Sequence, residues 1–414
     1  MVIKIGNGWR TGFIFATIMG MLGCLFLSRA GLSIFLILFL VGTMWHKNFL
    51  KQCSFFLHSP VLVGIAFLFL VPFVSGLWSS DGQEWLDAMR IKLPLLFLPL
   101  AFAGSWQLSN KQWLFIASFF LALLIASTCW SFLQYLQNMT AIHQGYLSAK
   151  VLATPLQNDH VRYSWLVSIG VLLCLVLTKD ASKRGTTLLW FLVFWFALYL
   201  HLLSARTGLV SLYLIFFFYI IWLWRRRREK KMIIGIMLSI ILIPILALIF
   251  LPTFQNRIKY FVYDYSYIKT NTYLPGSNDG SRMLSLKGGW SVLKNNPGGV
   301  GRGDVYAKVD EWYTENVPQI KNEDRLYPAS EWLMYGAAAG WIGVILFTVS
   351  MLIPFLFPPA ANRIFWIGLN ATAAFSLAFD IGLEVQFGVF LYSFIILWWW
   401  KWFSSQSKAG VYES

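Results

Sequence analysis

The chain has 414 residues, of which 58% are hydrophobic and only 12% charged. A soluble domain carries about twice that charged share, so this composition excludes an ordinary soluble protein; outward residues that meet lipid instead of water resolve the deficit. The formal charge is +15, but the basic residues lie between apolar runs, where they orient a chain in a bilayer rather than bind nucleic acid.

A spanning helix needs about 20 apolar residues. Such runs lie at roughly 11–27, 31–45, 59–77, 92–104, 113–137, 161–178, 186–203, 207–224, 232–251, 331–357, 364–380 and 383–400. They predict an all-α integral membrane protein of about twelve transmembrane helices. The second and fourth runs are short, and Pro94 and Pro99 make the fourth irregular. The first run follows basic residues but has no clean small-residue cleavage site, so it reads as a first span rather than a signal peptide. The 21 Trp residues suit the headgroup zone. Cys24, Cys53, Cys129 and Cys174 form no CxxC pair, which argues against a disulfide framework or a zinc site.

Basic links set the direction. The run 225–231, with four arginines and two lysines, belongs in the cytoplasm. Alternation then puts Lys4, Arg10, Lys47, Lys51, Lys111, the 179–184 link, Arg363 and the 401–414 tail on the same side. Both termini are expected there. The opposite side receives short links and one long loop, 252–330. The chain thus divides into an N-terminal bundle of about nine spans (1–251), the loop (252–330), and about three C-terminal spans with a tail (331–414). Within the loop an aromatic stretch occupies 260–267, turn residues 275–280, and an amphipathic helix 283–294, closed by Asn296-Pro297-Gly298.

Charged residues at a membrane boundary are costly and need a reason. Arg206 sits in Ser204-Ala205-Arg206-Thr207-Gly208, at the outer mouth of two spans. Arg282 opens the loop helix after Asn278-Asp279-Gly280-Ser281. Each alone reads as a snorkelling or surface arginine; together they suit a pyrophosphate clamp, because guanidinium bonds phosphate oxygens in pairs. His160 with Asn158 and Asp159 opens the sixth span, Glu331 opens the tenth, and Asp380 and Glu384 lie four apart between the last two. Gly299-Val300-Gly301-Arg302-Gly303 follows no strand and reads as a tight turn against the membrane helices, not a nucleotide loop. Gly336-Ala337-Ala338-Ala339-Gly340 reads as a close-packing helix face.

The order of these pieces resembles the O-antigen ligase and polysaccharide polymerase superfamily over most of the chain. The motifs run from Trp78-Ser79-Ser80-Asp81 and the proline-broken fourth span through Asn158-Asp159-His160, Ser204-Ala205-Arg206-Thr207-Gly208 and Arg282 before Trp290. They continue with Asn296-Pro297, Gly299-Val300-Gly301, Pro328-Ala329-Ser330-Glu331-Trp332-Leu333 and Gly340-Trp341-Ile342-Gly343. The resemblance implies a GT-C-like, multi-pass enzyme of the bacterial inner (cytoplasmic) membrane whose long loop is periplasmic. It implies transfer of a glycan from an undecaprenyl-pyrophosphate carrier to lipid A–core or to another glycan. It implies no nucleotide sugar, no metal and no other cofactor. Arg206 and Arg282 match the phosphate-side arginines.

One departure stands out. Ligases of this family carry a His-Asn pair where this chain has Ala329 and Ser330. Alanine cannot accept a proton. Either Glu331, Glu384 or His160 serves as base, or the chain belongs to a divergent branch such as a polymerase, or activity has been lost. A transporter of lipid-linked glycan and a non-catalytic scaffold are the readings from other classes. The absence of an internal repeat counts against the transporter.

Overall fold

The structure is a computed structural model that describes residues 8–148, 150–155, 159–226, 230–270 and 279–410. Lys4, Asn158, the 227–229 part of the basic run and most of the 275–280 turn lie outside the described residues. The described residues form helices and connecting turns, with no strand among them. That is what a membrane demands, since a helix satisfies its own backbone where no water can.

Helices α1 (Gly8–Leu27) and α2 (Arg29–Met44) make a tight hairpin in which the Ser28 hydroxyl accepts the Gly31 N–H at 3.1 Å. Helix α3 (Phe49–Leu57) turns away from α2 by 102°. Helix α4 (Pro60–Ser75) ends in a short 3₁₀ turn, and α5 (Gly82–Lys92) meets α6 (Pro94–Phe102) at Pro94. Then follow α7 (Asn110–Gln137), α8 (Met139–Gly145), α9 (His160–Leu177), α10 (Lys183–Leu203), α11 (Arg206–Arg225) and α12 (Lys230–Phe250). The segment between spans carries α13 (Pro252–Thr270), α14 (Asp279–Asn295) and α15 (Val305–Asn316). Helices α16 (Glu331–Leu356), α17 (Arg363–Ala378) and α18 (Gln386–Gly410) complete the chain.

Among the described residues eight helices are long and apolar enough to cross a membrane: α1, α4, α7, α9, α10, α11, α12 and α16, or nine spans if the bent α2–α3 pair counts as one. The other expected spans fall on α2, α6, α17 and α18. At nine residues α6 covers only about 14 Å of a ~30 Å hydrocarbon core. Prolines shorten it: Pro94 starts the helix and Pro99 interrupts it.

Helix α9 is buried over Arg162–Val176 and α18 over nearly all of 389–403, so these two sit at the centre. Helix α12 presents most of its surface outward, as a lipid-facing helix does. The 252–330 segment has a small core of its own: Val292, Val305, Val309, Tyr313, Val317 and Ile320 pack on Met334, Ala337 and Ala338 of α16. The expected loop helix at 283–294 is α14, longer by four residues at its start.

Within 336–340, Gly336 sits against Leu293 as a close-packing residue should, 3.0 Å from where a Cβ would stand. Gly340 does something else. With φ +66° and ψ −156° it breaks α16, a backbone state nearly confined to glycine. The break frees Ala337 and Ala338 carbonyls, which accept the Val300 N–H at 2.8 Å and the Gly301 N–H at 3.0 Å. Trp341 N–H donates back to the Pro297 carbonyl at 3.1 Å. The glycine-rich turn is therefore a tight turn docked on a span, as its sequence implies. At Gly299, φ +82°, a Cβ would collide with Ala338.

Candidate functional site

Three stretches converge on one cleft. His160 and Val161 come from the start of α9, Ala205, Arg206 and Thr207 from the α10–α11 turn, and Arg257, Asp279 and Arg282 from α13 and α14. The α10–α11 turn is made by Ser204 in the left-handed region (φ 52°, ψ 31°), its hydroxyl donating to the His201 carbonyl at 2.7 Å. A non-glycine residue there costs roughly 1–2 kcal/mol. The turn reverses the chain so that Arg206 begins α11 facing the cleft.

Helix α14 is fixed by α13. The Asp264 carboxylate accepts the Asp279 N–H at 2.6 Å and the Gly280 N–H at 3.3 Å, which suits the positive end of a helix. Asp279 is thus held where its own carboxylate takes both arms of Arg206, at 2.8 and 2.5 Å. Arg206 also lies over the Phe261 ring, 4.6 Å from its centre, and stays half exposed. Arg282 donates to the Phe379 carbonyl at 3.4 Å and is half-buried. Arg257 differs from both. It is largely enclosed beside the Tyr260 ring, 5.7 Å away, and its Nε and Nη1 have no hydrogen-bond partner among the described residues. Burial, and then repulsion by Arg206, lower its pKa from the ordinary arginine value.

Beside the cleft, Asp159 caps α9 by accepting the Arg162 N–H at 3.2 Å and also pairs with the Arg162 side chain. Arg162 reaches Asp380 at 3.0 Å. This ties the start of α9 to the end of α17.

The structure brings His160, Arg206 and Arg282 together. It does not bring Glu331 and Glu384 to them. Those two carboxylates belong to a separate, sealed cluster. Lys92 donates to Glu384 Oε1 and to the Leu383 carbonyl, both at 2.7 Å. Arg302 donates to Glu384 Oε2 at 2.6 Å and lies 4.7 Å from the centre of the Tyr306 ring. Glu331 Oε1 accepts the Leu383 N–H at 2.6 Å, while its Oε2 has no partner among the described residues. Glu331 and Lys92 are wholly inaccessible to solvent. Glu331, the first residue of α16, thereby holds the α17–α18 turn. Burial alone would lower the pKa of Arg302, but the Glu384 carboxylate outweighs it and raises it.

The glycine-rich turn joins this cluster to the α4–α5 link. Asp304 accepts the Ser80 N–H at 2.6 Å and the Asp81 N–H at 3.0 Å, and the Gly303 N–H reaches the Ser79 hydroxyl at 2.9 Å. Three recognisable motifs, at 78–81, 299–303 and 328–333, thus meet around one latch. Ala329 offers its N–H to the Ser285 hydroxyl at 3.2 Å. No group of three or more His, Cys, Asp or Glu side chains placed to hold a metal ion occurs among the described residues.

Sequence reading alone missed Arg257 and the pairing of Lys92 with Glu384. Arg257 stands in no motif and is indistinguishable in sequence from an interfacial arginine. Lys92 and Glu384 are separated by most of the chain.

Fold and site together define an all-helical, multi-pass membrane protein with an arginine-lined cleft between its helix ends and an inserted helical segment. Residues 191–348, from α10 through the first part of α16, match the O-antigen ligase family. The match supports the family resemblance carried by the motifs from Ser204 to Gly343. The matched stretch contains Arg206, Arg257, Asp279, Arg282, Arg302 and Glu331. No curated protein matches the chain.

Proposed function

We propose that this protein is a membrane glycosyltransferase that moves a glycan from an undecaprenyl-pyrophosphate carrier to an acceptor at the periplasmic face of the bacterial inner membrane. The observation that carries this reading is the convergence of Arg206, Arg282 and His160, from three separate stretches, on one cleft largely formed by the family segment.

In this reading the helical segment 252–330 is periplasmic, both termini are cytoplasmic, and α2, α6, α17 and α18 bring the spans towards twelve. The dense basic run at 225–231 supports that orientation. Arg206 and Arg282 cradle the pyrophosphate and stabilise the charge that grows on it as it leaves. Asp279, which holds Arg206 in the free protein, gives way to a phosphate oxygen. His160 takes the proton from the acceptor hydroxyl, because an imidazole nitrogen can accept one and this ring lines the cleft. The bond from acceptor oxygen to the anomeric carbon forms, the bond from that carbon to the phosphate oxygen breaks, and the carrier leaves as its pyrophosphate. Glu331 and Glu384 take a structural role, joining the α17–α18 turn to α5 and α16.

The acceptor is either lipid A–core or a second carrier-linked glycan. Ala329, at the position where ligases carry histidine, favours the second, a repeat-unit polymerase. Purified full-length protein given lipid-linked donor and each acceptor in turn distinguishes them. Arg206→Ala and Arg282→Ala abolish transfer at normal protein levels. Transfer to neither acceptor by the wild-type protein, or normal transfer by both variants, defeats the proposal.

A further inference from the structure

We infer that Arg257 is a third phosphate ligand of the cleft, the residue that makes the site select a pyrophosphate carrier over a monophosphate one. This inference rests on the proposed function and adds to it the chemical basis of head-group choice.

Two observations carry it. The first is the state of the side chain. Arg257 is held against Tyr260 on α13, lines the same cleft as Arg206 and Arg282, and leaves Nε and Nη1 without hydrogen-bond partners among the described residues. An enclosed guanidinium with idle donors is unfavourable unless something repays its lost hydration. Asp279 and the Tyr260 ring act on it through space, but no hydrogen-bond acceptor among the described residues meets Nε or Nη1. The one carboxylate lining the cleft, Asp279, is already committed to both arms of Arg206. A ligand oxygen in the cleft would supply what the fold withholds.

The second is the charge balance. Arg206, Arg257 and Arg282 against Asp279 leave an excess of two positive charges along the lining. A pyrophosphate joined at one end to a lipid and at the other to a sugar carries two negative charges, one on each phosphate. A single phosphate in the same linkage carries one. Arg206 is half exposed and Arg282 half-buried, whereas Nε and Nη1 of Arg257 are closed off from solvent. In the proposal one phosphate sits at the mouth with Arg206 and the second is met by Arg257.

The test uses full-length protein in lipid nanodiscs and two probes, undecaprenyl-pyrophosphoryl-N-acetylglucosamine and its monophosphoryl counterpart. Wild type binds the pyrophosphoryl probe at least about tenfold more tightly, a ratio worth ~1.4 kcal/mol. Arg257→Gln removes that preference and leaves affinity for the monophosphoryl probe unchanged, while Arg206→Gln weakens both. Ligand-free Arg257→Gln melts at the wild-type temperature or above it, because a largely enclosed cation with two unpartnered nitrogens among the described residues has been removed. Wild-type preference retained by Arg257→Gln, with Arg206→Gln impaired, overturns the role of Arg257 and leaves the proposed function standing. So does a fall in the melting temperature with the preference intact, which marks a structural arginine. Equal binding of both probes by wild type, unaffected by Arg206→Gln, removes the proposed function as well.

Discussion

In the sealed cluster Lys92 and Arg302 both pair with Glu384, Arg302 also lies 3.6 Å from Glu84 at the rim, and Glu331 is close by, so each cation has a carboxylate. In the cleft three arginines share one aspartate. Both regions gather charged residues from distant parts of the chain, and both lie where inserted segment and spans meet. They differ in whether the charges are spent. Glu384 accepts from two cations, and the cluster's hydrogen bonds run to the backbone of the α17–α18 turn. Among the described residues Arg206 is half exposed, Arg282 makes a long contact to a carbonyl, and Arg257 has idle donors. A neutralised cluster holds parts in place; an unbalanced one is fit to take up an anion.

That contrast can be broken by experiment. The largest effect belongs to the sealed cluster. Glu384→Ala strands two buried cations, and breaking a buried pair costs on the order of 3–5 kcal/mol. The expected outcome is loss of folded protein, read by size-exclusion profile and melting temperature; a stable, monodisperse variant would contradict a structural role. Next come Arg206→Ala and Arg282→Ala, expected to keep wild-type melting and lose transfer by about 100–1000-fold, the range for removing a group that stabilises developing charge. Melting that falls with activity would make the cleft arginines structural too.

Smaller effects sharpen the picture. Asp279→Asn removes the internal competitor for Arg206. A half-exposed ion pair is worth ~0.2–1 kcal/mol, so donor KM should fall by up to about fivefold; a rise would mean Asp279 helps to hold the donor. Smallest is Glu331→Gln. Glutamine keeps an acceptor for the Leu383 N–H and removes a charge whose second oxygen is unpartnered among the described residues. Turnover should stay within about twofold of wild type, the scale of a change near 0.4 kcal/mol. A large loss of turnover with normal melting would restore Glu331 as the base.

Much of the site was legible because charges near a membrane are few. Arg206, Arg282 and His160 stood out in sequence, and they share the cleft. The same rule drew attention to Glu331 and Glu384, which the fold places in the sealed cluster. Sequence gives the expense of a buried carboxylate but not what offsets it. The offset for Glu384 is Lys92 on α5 and Arg302 in the glycine-rich turn. Gly340 shows the same limit: small residues at 336–340 fit close helix packing, yet Gly340 breaks the helix because the 297–301 segment needs its carbonyls.

By itself the sequence determined that the chain is helical and that its long apolar runs can cross a membrane, since hydropathy and backbone self-satisfaction act within one segment. It also carried the family resemblance, because the motif glycines and charges keep their order along the chain. Only the tertiary structure decided which charges share a pocket. Lys92 meets Glu384, and Arg257 joins Arg206, through contacts between elements far apart in sequence. Pairing is a property of distance in space, and that distance is set only when α5, α13 and the α17–α18 turn have packed.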